Sequence, residues 1–334
     1  MAFERIFVEK SIAERPATLA VLKKINALDR FEIIEKYDDY FGRVKKPYLH
    51  KRNQLNLYLA EKKGQLVKEA PDAYGLAGAP HFYFVHAYNC IYECEYCYLQ
   101  GYFNSPDIVL FTNHDEISKE IIRHIHQYPN QEIWFHAGEF SDSLALSQIS
   151  GELELYHQLF KKFPHARLEL RTKSANTKVL ESLDPLDNMI TSFSMSPQSS
   201  VKKYDHKTAA LKLRLKAMEK LSMLGHPVAI HLDPIIWSPN WESDYQELVH
   251  KITETINPDN IRYVSIGVVR FPKKMFKDIK NNYPDSDLVH QPLITTTNDL
   301  VRYRKPLRFK ILNTVESMLK TAGFKAPQIY KCME

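Results

Sequence analysis

The sequence predicts an α/β fold, a partial (β/α)6 barrel with a small N-terminal extension and a basic C-terminal segment. From about residue 80, short runs rich in β-branched and aromatic residues alternate with segments of helical periodicity, which is typical of βα units building a parallel sheet. The predicted strands are residues 82–86, 132–136, 167–171, 189–194, 228–233 and 261–266. Six strands are too few for a closed eight-stranded barrel but suit an open one.

Helical patterns separate these strands. In residues 152–163, Leu155, Tyr156 and Leu159 recur at a spacing that places them on one helix face, and residues 209–224 show the same periodicity before Gly225. The other predicted elements are strands at 6–8 and 31–34 and helices at 13–28 and 309–321. We therefore divide the chain into an N-terminal extension (1–79), a barrel (80–270) and a C-terminal segment that contacts substrate or nucleic acid (271–334).

The composition limits the class of protein. A chain of 334 residues with 44% hydrophobic content can bury a large core. It has no apolar run of about 18 residues and no apolar leader, so we expect neither a membrane-spanning nor a secreted protein. Three of the four cysteines are clustered, which indicates a reducing compartment rather than a disulfide framework. We therefore expect a cytoplasmic protein with no membrane partner.

The net charge of +5 is modest, but the basic residues are unevenly distributed. They concentrate in three runs: Arg43, Lys45, Lys46, Lys51 and Arg52; Arg270, Lys273, Lys274, Lys277 and Lys280; and Arg302, Arg304, Lys305, Arg308 and Lys310. Aromatic residues interleave with the first and last runs, a mixture suited to phosphate contact and base stacking. The alternative for each run is an ordinary solvated basic face.

Cys90, Cys94 and Cys97 form a C-x3-C-x2-C motif. Thiolates this close in sequence can converge on one metal centre, and three of them leave one iron of a 4Fe-4S cluster without a protein ligand. One alternative is a zinc site completed by His86 or His81, although zinc sites usually pair two C-x2-C hooks and the second is missing here. A chance group of buried thiols is the other alternative.

Polar residues follow nearly every predicted strand. Barrel-like folds carry their reactive groups on the loops after the carboxyl ends of the strands. The residues at these positions are the cysteine motif, His136 to Asp142, Arg171 to Ser174, Ser194 and Ser196, His231 and Asp233, and Arg270. Any one of them could be a cap or turn residue, but together they predict a site at this end of the barrel.

The cysteine spacing resembles the signature of the radical S-adenosylmethionine (SAM) superfamily. The resemblance implies that SAM chelates the free iron and that an electron from the cluster cleaves SAM to a 5'-deoxyadenosyl radical. Gly138-Glu139 resembles the superfamily's G-G-E element, whose carboxylate holds the SAM amino group. The implied SAM-binding residues are Tyr98 against the adenine, Gly138, Glu139 and Ser141, with Lys173 and Ser194 for the carboxylate and ribose.

The run from Cys94 to Gln100 is similar to the C-x-Y-C-Y-L-Q pattern of the spore photoproduct lyase family. Later blocks follow in the family's order: Arg171-Thr172-Lys173, Phe193-Ser194, and Arg270-Phe271 followed by Lys273-Lys274. The resemblance, which covers roughly residues 80–310, implies a lyase that reverses a thymine dimer in ultraviolet-damaged DNA. It also implies a 4Fe-4S cluster and SAM as cofactors and an electron donor such as flavodoxin or ferredoxin.

One position departs from the family pattern. In the characterised lyases a cysteine within a C-T-S-D run returns a hydrogen atom to the product radical. Here Ser141-Asp142 matches the end of that run, and Glu139 stands in place of the cysteine. A carboxyl group cannot replace the thiol, because its O–H bond is far too strong. The catalytic candidates are therefore Cys332, the remaining thiol, and Tyr96 and Tyr98 as relay residues.

Residues 300–308 lie where lyases of this family carry a basic aromatic hairpin. The predicted nucleic-acid contacts are Arg270, Arg302, Tyr303, Arg304 and Arg308, with Tyr303 as a wedge or stacking platform. Two alternatives stay open. The chain could be a radical SAM enzyme acting on a nucleoside, an RNA base or a peptide, or a non-catalytic DNA-binding protein with a structural zinc.

Overall fold

A computed structural model describes residues 3–43, 48–49, 53–71 and 78–332. Lys45, Lys46, Lys51 and Arg52 of the first basic run lie outside the described residues. The strands are β1 (Ile6–Glu9), β2 (Glu32–Ile34), β3 (Leu57–Ala60), β4 (Val67–Glu69), β5 (His81–Phe84), β6 (Ala87–Tyr88), β7 (Glu93–Cys94), β8 (Ile108–Phe111), β9 (Ile133–Ala137), β10 (Ala166–Thr172), β11 (Met189–Ser194), β12 (Asp205–His206), β13 (Val228–Ile235), β14 (Ile261–Val268), β15 (Arg270–Pro272), β16 (Leu293–Thr295), β17 (Leu300–Tyr303) and β18 (Ile329–Lys331).

The α-helices are α1 (Pro16–Lys24), α2 (Leu99–Tyr102), α3 (His114–Gln127), α4 (Ser147–Ser150), α5 (Glu152–Phe160), α6 (Lys178–Glu181), α7 (Gln198–Tyr204), α8 (Leu211–Met223), α9 (Trp241–Thr255), α10 (Lys273–Asn282) and α11 (Lys305–Thr321). Short 3-10 segments occur at Lys10–Ile12, Tyr37–Asp39, Pro258–Asn260, Asp287–His290 and Ala326–Gln328. Within the described ranges, no helix has both the length and the apolar character needed to cross a membrane.

Six parallel strands form the barrel wall in the order β5, β9, β10, β11, β13 and β14. Each lies within two residues of its predicted range. Strand β4 joins one edge antiparallel, and β18 joins the other edge parallel. In the part of the chain that is described, the two edge strands do not pair with each other, so the wall stays open. The predicted partial barrel is confirmed.

The pleat of each strand separates an apolar outer face from a more polar inner face. Phe135, Leu168 and Ile230 face outward, and all are fully buried in the main core cluster, to which the helices also contribute. The inner face is built from alternate residues of the strands and has two layers. The first layer is apolar and consists of Trp134, Ile190, Ala229 and Tyr263. The second layer lies two residues further along each strand and is polar, consisting of His136, Ser192, His231 and Ser265. The next inward positions therefore lie at the carboxyl ends of the strands.

Glu169 on β10 is the centre of a buried polar network inside the barrel. Its carboxylate accepts hydrogen bonds from Ser192 Oγ at 2.8 Å and Tyr263 Oη at 2.6 Å, and it lies 2.5 Å from His136 Nδ1, 2.7 Å from His231 Nε2 and 3.2 Å from Arg171 Nη2. Burial favours a raised pKa, but Arg171, His231 and the hydrogen bond with His136 outweigh it and hold the pKa of Glu169 well below its ordinary value. The network thus links five wall strands.

A second sheet lies beside the barrel, with the strand order β2, β1, β3, β8 and β6. The predicted N-terminal elements are present as β1, α1 and β2, although α1 is shorter than predicted because Pro16 begins it and the chain turns at Asn26, whose φ is 53°. Strands β6 and β8 come from beyond residue 79, and β18 pairs with the barrel. Hydrogen bonds between strands therefore cross both predicted domain boundaries, the one after residue 79 and the one after residue 270. The division into three domains stays a prediction.

Buried histidines predict a specific dependence of stability on pH. Burial lowers the pKa of His86 to about 4 and that of His114 to about 3, and repulsion between the two adds to the effect at His114. The unfolded chain takes up protons near pH 6.5, so it binds more protons than the folded chain between that pH and about 4. Each histidine therefore makes folding less favourable as the pH falls through this window.

We expect His114→Gln apoprotein to lose less thermal stability than the wild type between pH 7 and pH 5, as measured by the unfolding midpoint. The matched control is His250→Gln, which changes an exposed histidine paired with Glu254 and should follow the wild-type curve. Parallel curves for wild type and His114→Gln would contradict this account.

Candidate active site

A cleft of about 730 Å³ opens at the carboxyl ends of the barrel strands. Its lining includes the three motif cysteines, Cys332, and all six predicted SAM-binding residues, namely Tyr98, Gly138, Glu139, Ser141, Lys173 and Ser194. Tyr96, Arg270 and Arg302 also line it. Residues predicted from separate parts of the sequence are thus brought together in one cavity, because they lie at or beyond the carboxyl ends of neighbouring strands of one sheet.

The cysteine loop, defined as residues 89–98, is held by its backbone and by amide side chains. Asn89 has a φ of 63° and donates from Nδ2 to the carbonyls of Ser105 and Asp107, each at 2.7 Å. Gln100 donates from Nε2 to the carbonyls of Cys94 at 3.1 Å and Glu95 at 2.7 Å. These amides help to fix the path of the loop.

A buried ion pair joins the cysteine loop to the barrel. Cys94 pairs with Asp205 between β7 and β12, and the Asp205 carboxylate accepts from Arg214 Nη2 at 2.9 Å and from the Tyr96 hydroxyl. Arg214 is completely buried and also donates to the carbonyl of Ser194, where β11 ends, at 2.9 Å. One guanidinium therefore positions both a motif cysteine and a predicted SAM-binding residue.

Sequence reasoning missed Arg214, although a signal was present. Arg214 occurs on the same helix face as Leu211, Leu215 and Met218, which are all buried. A basic residue in the apolar stripe of an amphipathic helix must either reach solvent or find a buried partner. Here the partner is Asp205, which no local sequence pattern singles out.

Gly138 makes the turn that brings Glu139 to the cleft. Its φ is 82°, and a Cβ at this position would lie 2.5 Å from Ser143 Oγ and 2.9 Å from the Ser143 amide nitrogen. Asp142 secures the same turn, since it accepts from Thr172 Oγ1 and from the Lys173 amide, each at 2.7 Å. Glu139 in turn accepts from the Tyr98 hydroxyl at 2.9 Å, which brings the carboxylate to the end of the cysteine loop.

The residues of the cleft suit a 4Fe-4S cluster with SAM. Three thiols, the Glu139 carboxylate and the Lys173 ammonium offer ligands for iron and partners for the amino and carboxylate groups of SAM. Burial, with a contribution from Asp205, raises the pKa of the Cys94 thiol well above its ordinary value, so metal binding would displace a proton there. Among the residues described, no three His, Cys, Asp or Glu side chains are grouped to hold a single metal ion.

The histidines named for a zinc site lie away from the cleft. His81 Nδ1 is 2.9 Å from His136 Nε2 inside the barrel, and His86 is buried behind the turn, where it meets the Asp142 backbone. His136 and His231, which follow predicted strands, likewise point toward Glu169. The hypothesis of a zinc site completed by His81 or His86 therefore gains no support from their positions.

Cys332 reaches the cleft because β18 pairs with β14. Its amide donates to the Ile266 carbonyl at 2.9 Å, and its Sγ lies 4.0 Å from Arg270 Nη2. Arg270 is also paired with Asp233, at 3.3 and 3.4 Å. Burial and the nearby Asp233 raise the pKa of the Cys332 thiol to about 11, so it keeps its hydrogen at neutral pH.

The structure contradicts the predicted role of Tyr303 as a wedge or stacking platform. Tyr303 is fully buried, and its hydroxyl contacts the Trp237 amide at 3.0 Å and Gln291 Oε1 at 3.2 Å. The alternation along β17 turns Val301 and Tyr303 inward and leaves Arg302 to line the cleft. Arg304 is exposed, whereas the Arg308 guanidinium donates to the Tyr303 carbonyl at 2.8 Å.

Replacing the buried guanidinium should be strongly destabilising. In Arg214→Met, Asp205 would be left buried without its counter-charge, which typically costs about 3–5 kcal/mol of unfolding free energy. Chemical denaturation of the apoprotein measures this loss. Lys216→Met, at an exposed position of the same helix, is the control and should change stability by no more than about 0.5 kcal/mol. Similar losses in the two variants would refute the assigned role of Arg214.

Known proteins resemble this chain both in sequence and in fold. The sequence profile of the spore photoproduct lyase family matches residues 79–297. The spore photoproduct lyase of Clostridium acetobutylicum is 24% identical over 200 residues, covering 60% of this chain and 59% of the relative. That of Bacillus subtilis is 26% identical over 208 residues, covering 60% of each. The chain thus spans about 60% of the length of these relatives in alignment.

Solved structures extend the similarity in fold to nearly the whole chain. A spore photoproduct lyase complexed with dinucleoside spore photoproduct superposes with a TM-score of 0.83 at 18% identity, covering 99% of this chain and 98% of that one. A variant with bound AdoMet and the same dinucleoside gives 0.83 at 17% identity over the same shares. These likenesses establish the fold, and the profile match covers well over half of the chain. The chain therefore belongs to the spore photoproduct lyase family.

Proposed function

We propose that this protein is a radical SAM enzyme that repairs a thymine-dimer lesion in ultraviolet-damaged DNA. The observation that carries the proposal is the one cleft in which the three motif cysteines, the six SAM-binding candidates and two of the predicted nucleic-acid contacts, Arg270 and Arg302, lie together. The names of the relatives agree with it, and a relative's structure holds AdoMet and a dinucleoside photoproduct. A cleft of about 730 Å³ is large enough for a nucleotide-sized ligand.

In this proposal each group in the cleft binds or orients a part of the cofactors. Cys90, Cys94 and Cys97 hold the cluster, Glu139 accepts from the SAM amino group, and Lys173 pairs with the SAM carboxylate. Among the remaining candidates, Tyr98 lies against the adenine and Ser194 contacts the ribose. Gly138 and Ser141 belong to the turn that carries Glu139. When bound, the cluster and SAM supply a 5'-deoxyadenosyl radical. An electron donor such as flavodoxin or ferredoxin and a cytoplasmic location complete the proposal.

We assign the hydrogen-atom donor to Cys332. Glu139 occupies the position at which the family's donor cysteine is expected, and its carboxylate accepts from Tyr98. Cys332 lines the same cleft and stays protonated, so its S–H hydrogen is available to a carbon radical there. Donation breaks the S–H bond, forms a C–H bond on the product and leaves a thiyl radical on Sγ. Tyr96 and Tyr98, which also line the cleft, stay as relay candidates.

We propose Arg270, Arg302, Arg304 and Arg308 as the nucleic-acid contacts. Arg270 and Arg302 line the cleft, and Arg304 is exposed at the start of α11. Arg308 is partly exposed, and its guanidinium donates a hydrogen bond to the Tyr303 carbonyl. Its contribution to nucleic-acid binding would therefore be secondary. This distribution favours contacts to phosphates beside the lesion over insertion of an aromatic ring.

Anaerobic turnover of the reduced, reconstituted enzyme on ultraviolet-irradiated DNA tests the reaction. We expect 5'-deoxyadenosine formation and thymine-dimer loss together in the wild type, and neither in Cys94→Ala, which removes a cluster ligand. Formation of 5'-deoxyadenosine without loss of dimers would reject repair. It would favour the alternative substrates, namely a nucleoside, an RNA base or a peptide.

Turnover in deuterated water tests the donor. The Cys332 thiol exchanges its hydrogen with solvent, so the wild type should place deuterium on the repaired thymine. Cys332→Ala should abolish or strongly reduce formation of repaired thymine while 5'-deoxyadenosine is still produced. Cys332→Ser is the matched control for size and should behave like the alanine variant, because its O–H bond is too strong to donate. Repair by both variants at the wild-type rate would exclude Cys332 as the donor.

A further inference from the structure

We infer that the exposed lysine face of α10 is a docking surface for the phosphate backbone of the DNA that flanks the lesion. The inference rests on the proposed function, since it concerns the same nucleic-acid substrate. The α10 lysine face is defined as Lys273, Lys274, Lys277 and Lys280, all of them exposed. None of these residues lines the cleft, and the proposed chemistry gives them no role.

The position of α10 makes its lysine face continuous with the cleft. Pro272 caps the helix and lines the cleft, and Lys273 is the next residue. Ten helical residues extend about 15 Å, so the helix leads away from the rim over the length of a few nucleotides. Residues three and four apart share a helix face, which places Lys273, Lys277 and Lys280 in one row. A strand whose lesion enters the cleft would pass this row.

The charge of this face is not neutralised by the rest of the helix. Asp278 is the one acid on α10, and it faces α2, because a Cβ added to Gly101 would lie 2.5 Å from its Oδ2. Lys273 lies 3.8 Å from Asp299 with both side chains largely exposed, a contact of little energetic weight. Among the residues described, no ion pair is seen for Lys274 or Lys277. The face therefore presents positive charge to solvent.

The helix is also fixed relative to the cysteine loop. Ile279 is fully buried in the main core, and Asn282 Nδ2 donates to Gln100 Oε1 at 2.9 Å. Gln100 is the residue whose amide holds the carbonyls of Cys94 and Glu95. A backbone bound along α10 would consequently lie at a set distance from the cleft. Exposed lysines on α8 offer the comparison.

The test compares two double variants that remove the same charge. Lys274→Gln/Lys277→Gln alters the α10 lysine face, and Lys212→Gln/Lys216→Gln alters two exposed lysines of α8 that do not line the cleft. Binding of a short duplex oligonucleotide irradiated with ultraviolet light is measured for each protein over a range of salt concentrations. Turnover of the dinucleoside spore photoproduct, which carries no flanking backbone to contact Lys274 or Lys277, is measured in parallel.

We expect the α10 variant to bind the duplex about tenfold more weakly and to reduce the slope of log K against log salt by about 1.8, because two phosphate contacts are lost. The α8 variant and turnover of the dinucleoside should match the wild type. An equal reduction of the salt-dependence slope in both double variants would overturn the docking surface. So would an unchanged affinity and slope in both. If the wild type processes neither substrate but the α10 effect persists, the repair function fails and the docking surface stands.

Discussion

The buried ion pair between Arg214 and Asp205 is the interaction on which the geometry of the cleft depends. Neither side chain has more than 1% of its surface exposed, so each charge is tolerable only because the other is present. Through Asp205 the pair fixes Tyr96 and the strand that carries Cys94, and through Arg214 it fixes the end of β11 at Ser194. The ion pair thus ties the cysteine loop to the end of a barrel strand.

The pleat of the barrel strands determines which residues can take part in chemistry. Every second residue faces inward, so the layer that contains Glu169 and His231 lies beneath the one that contains Arg171 and Asp233. The charged Glu169 network forms a polar floor under the cleft, and Arg171 belongs to both. Cys332 enters this arrangement from the edge strand β18, which explains how a residue near the end of the chain can face the cysteine motif.

Much of the fold and of the candidate site follows from the sequence, because both leave local signals. The wall strands are buried on both faces, so their sequences are mostly apolar. The three motif cysteines lie close together in the sequence. Contacts between distant residues leave no such signal. The burial of Tyr303 depends on which alternate residues of β17 face inward. The ion pair of Arg214 depends on a partner outside its helix, and the approach of Cys332 to the cleft depends on the pairing of β18 with β14.

The central claim is that the cleft holds a 4Fe-4S cluster with one iron open to SAM. Electron paramagnetic resonance of the reduced, anaerobically reconstituted protein tests it most directly, together with analysis of iron, sulfide and zinc. The account predicts about four irons and four sulfides per chain and a spectrum that changes when SAM is added, since SAM would bind the open iron. One zinc without sulfide, or a cluster spectrum that SAM leaves unchanged, would contradict it.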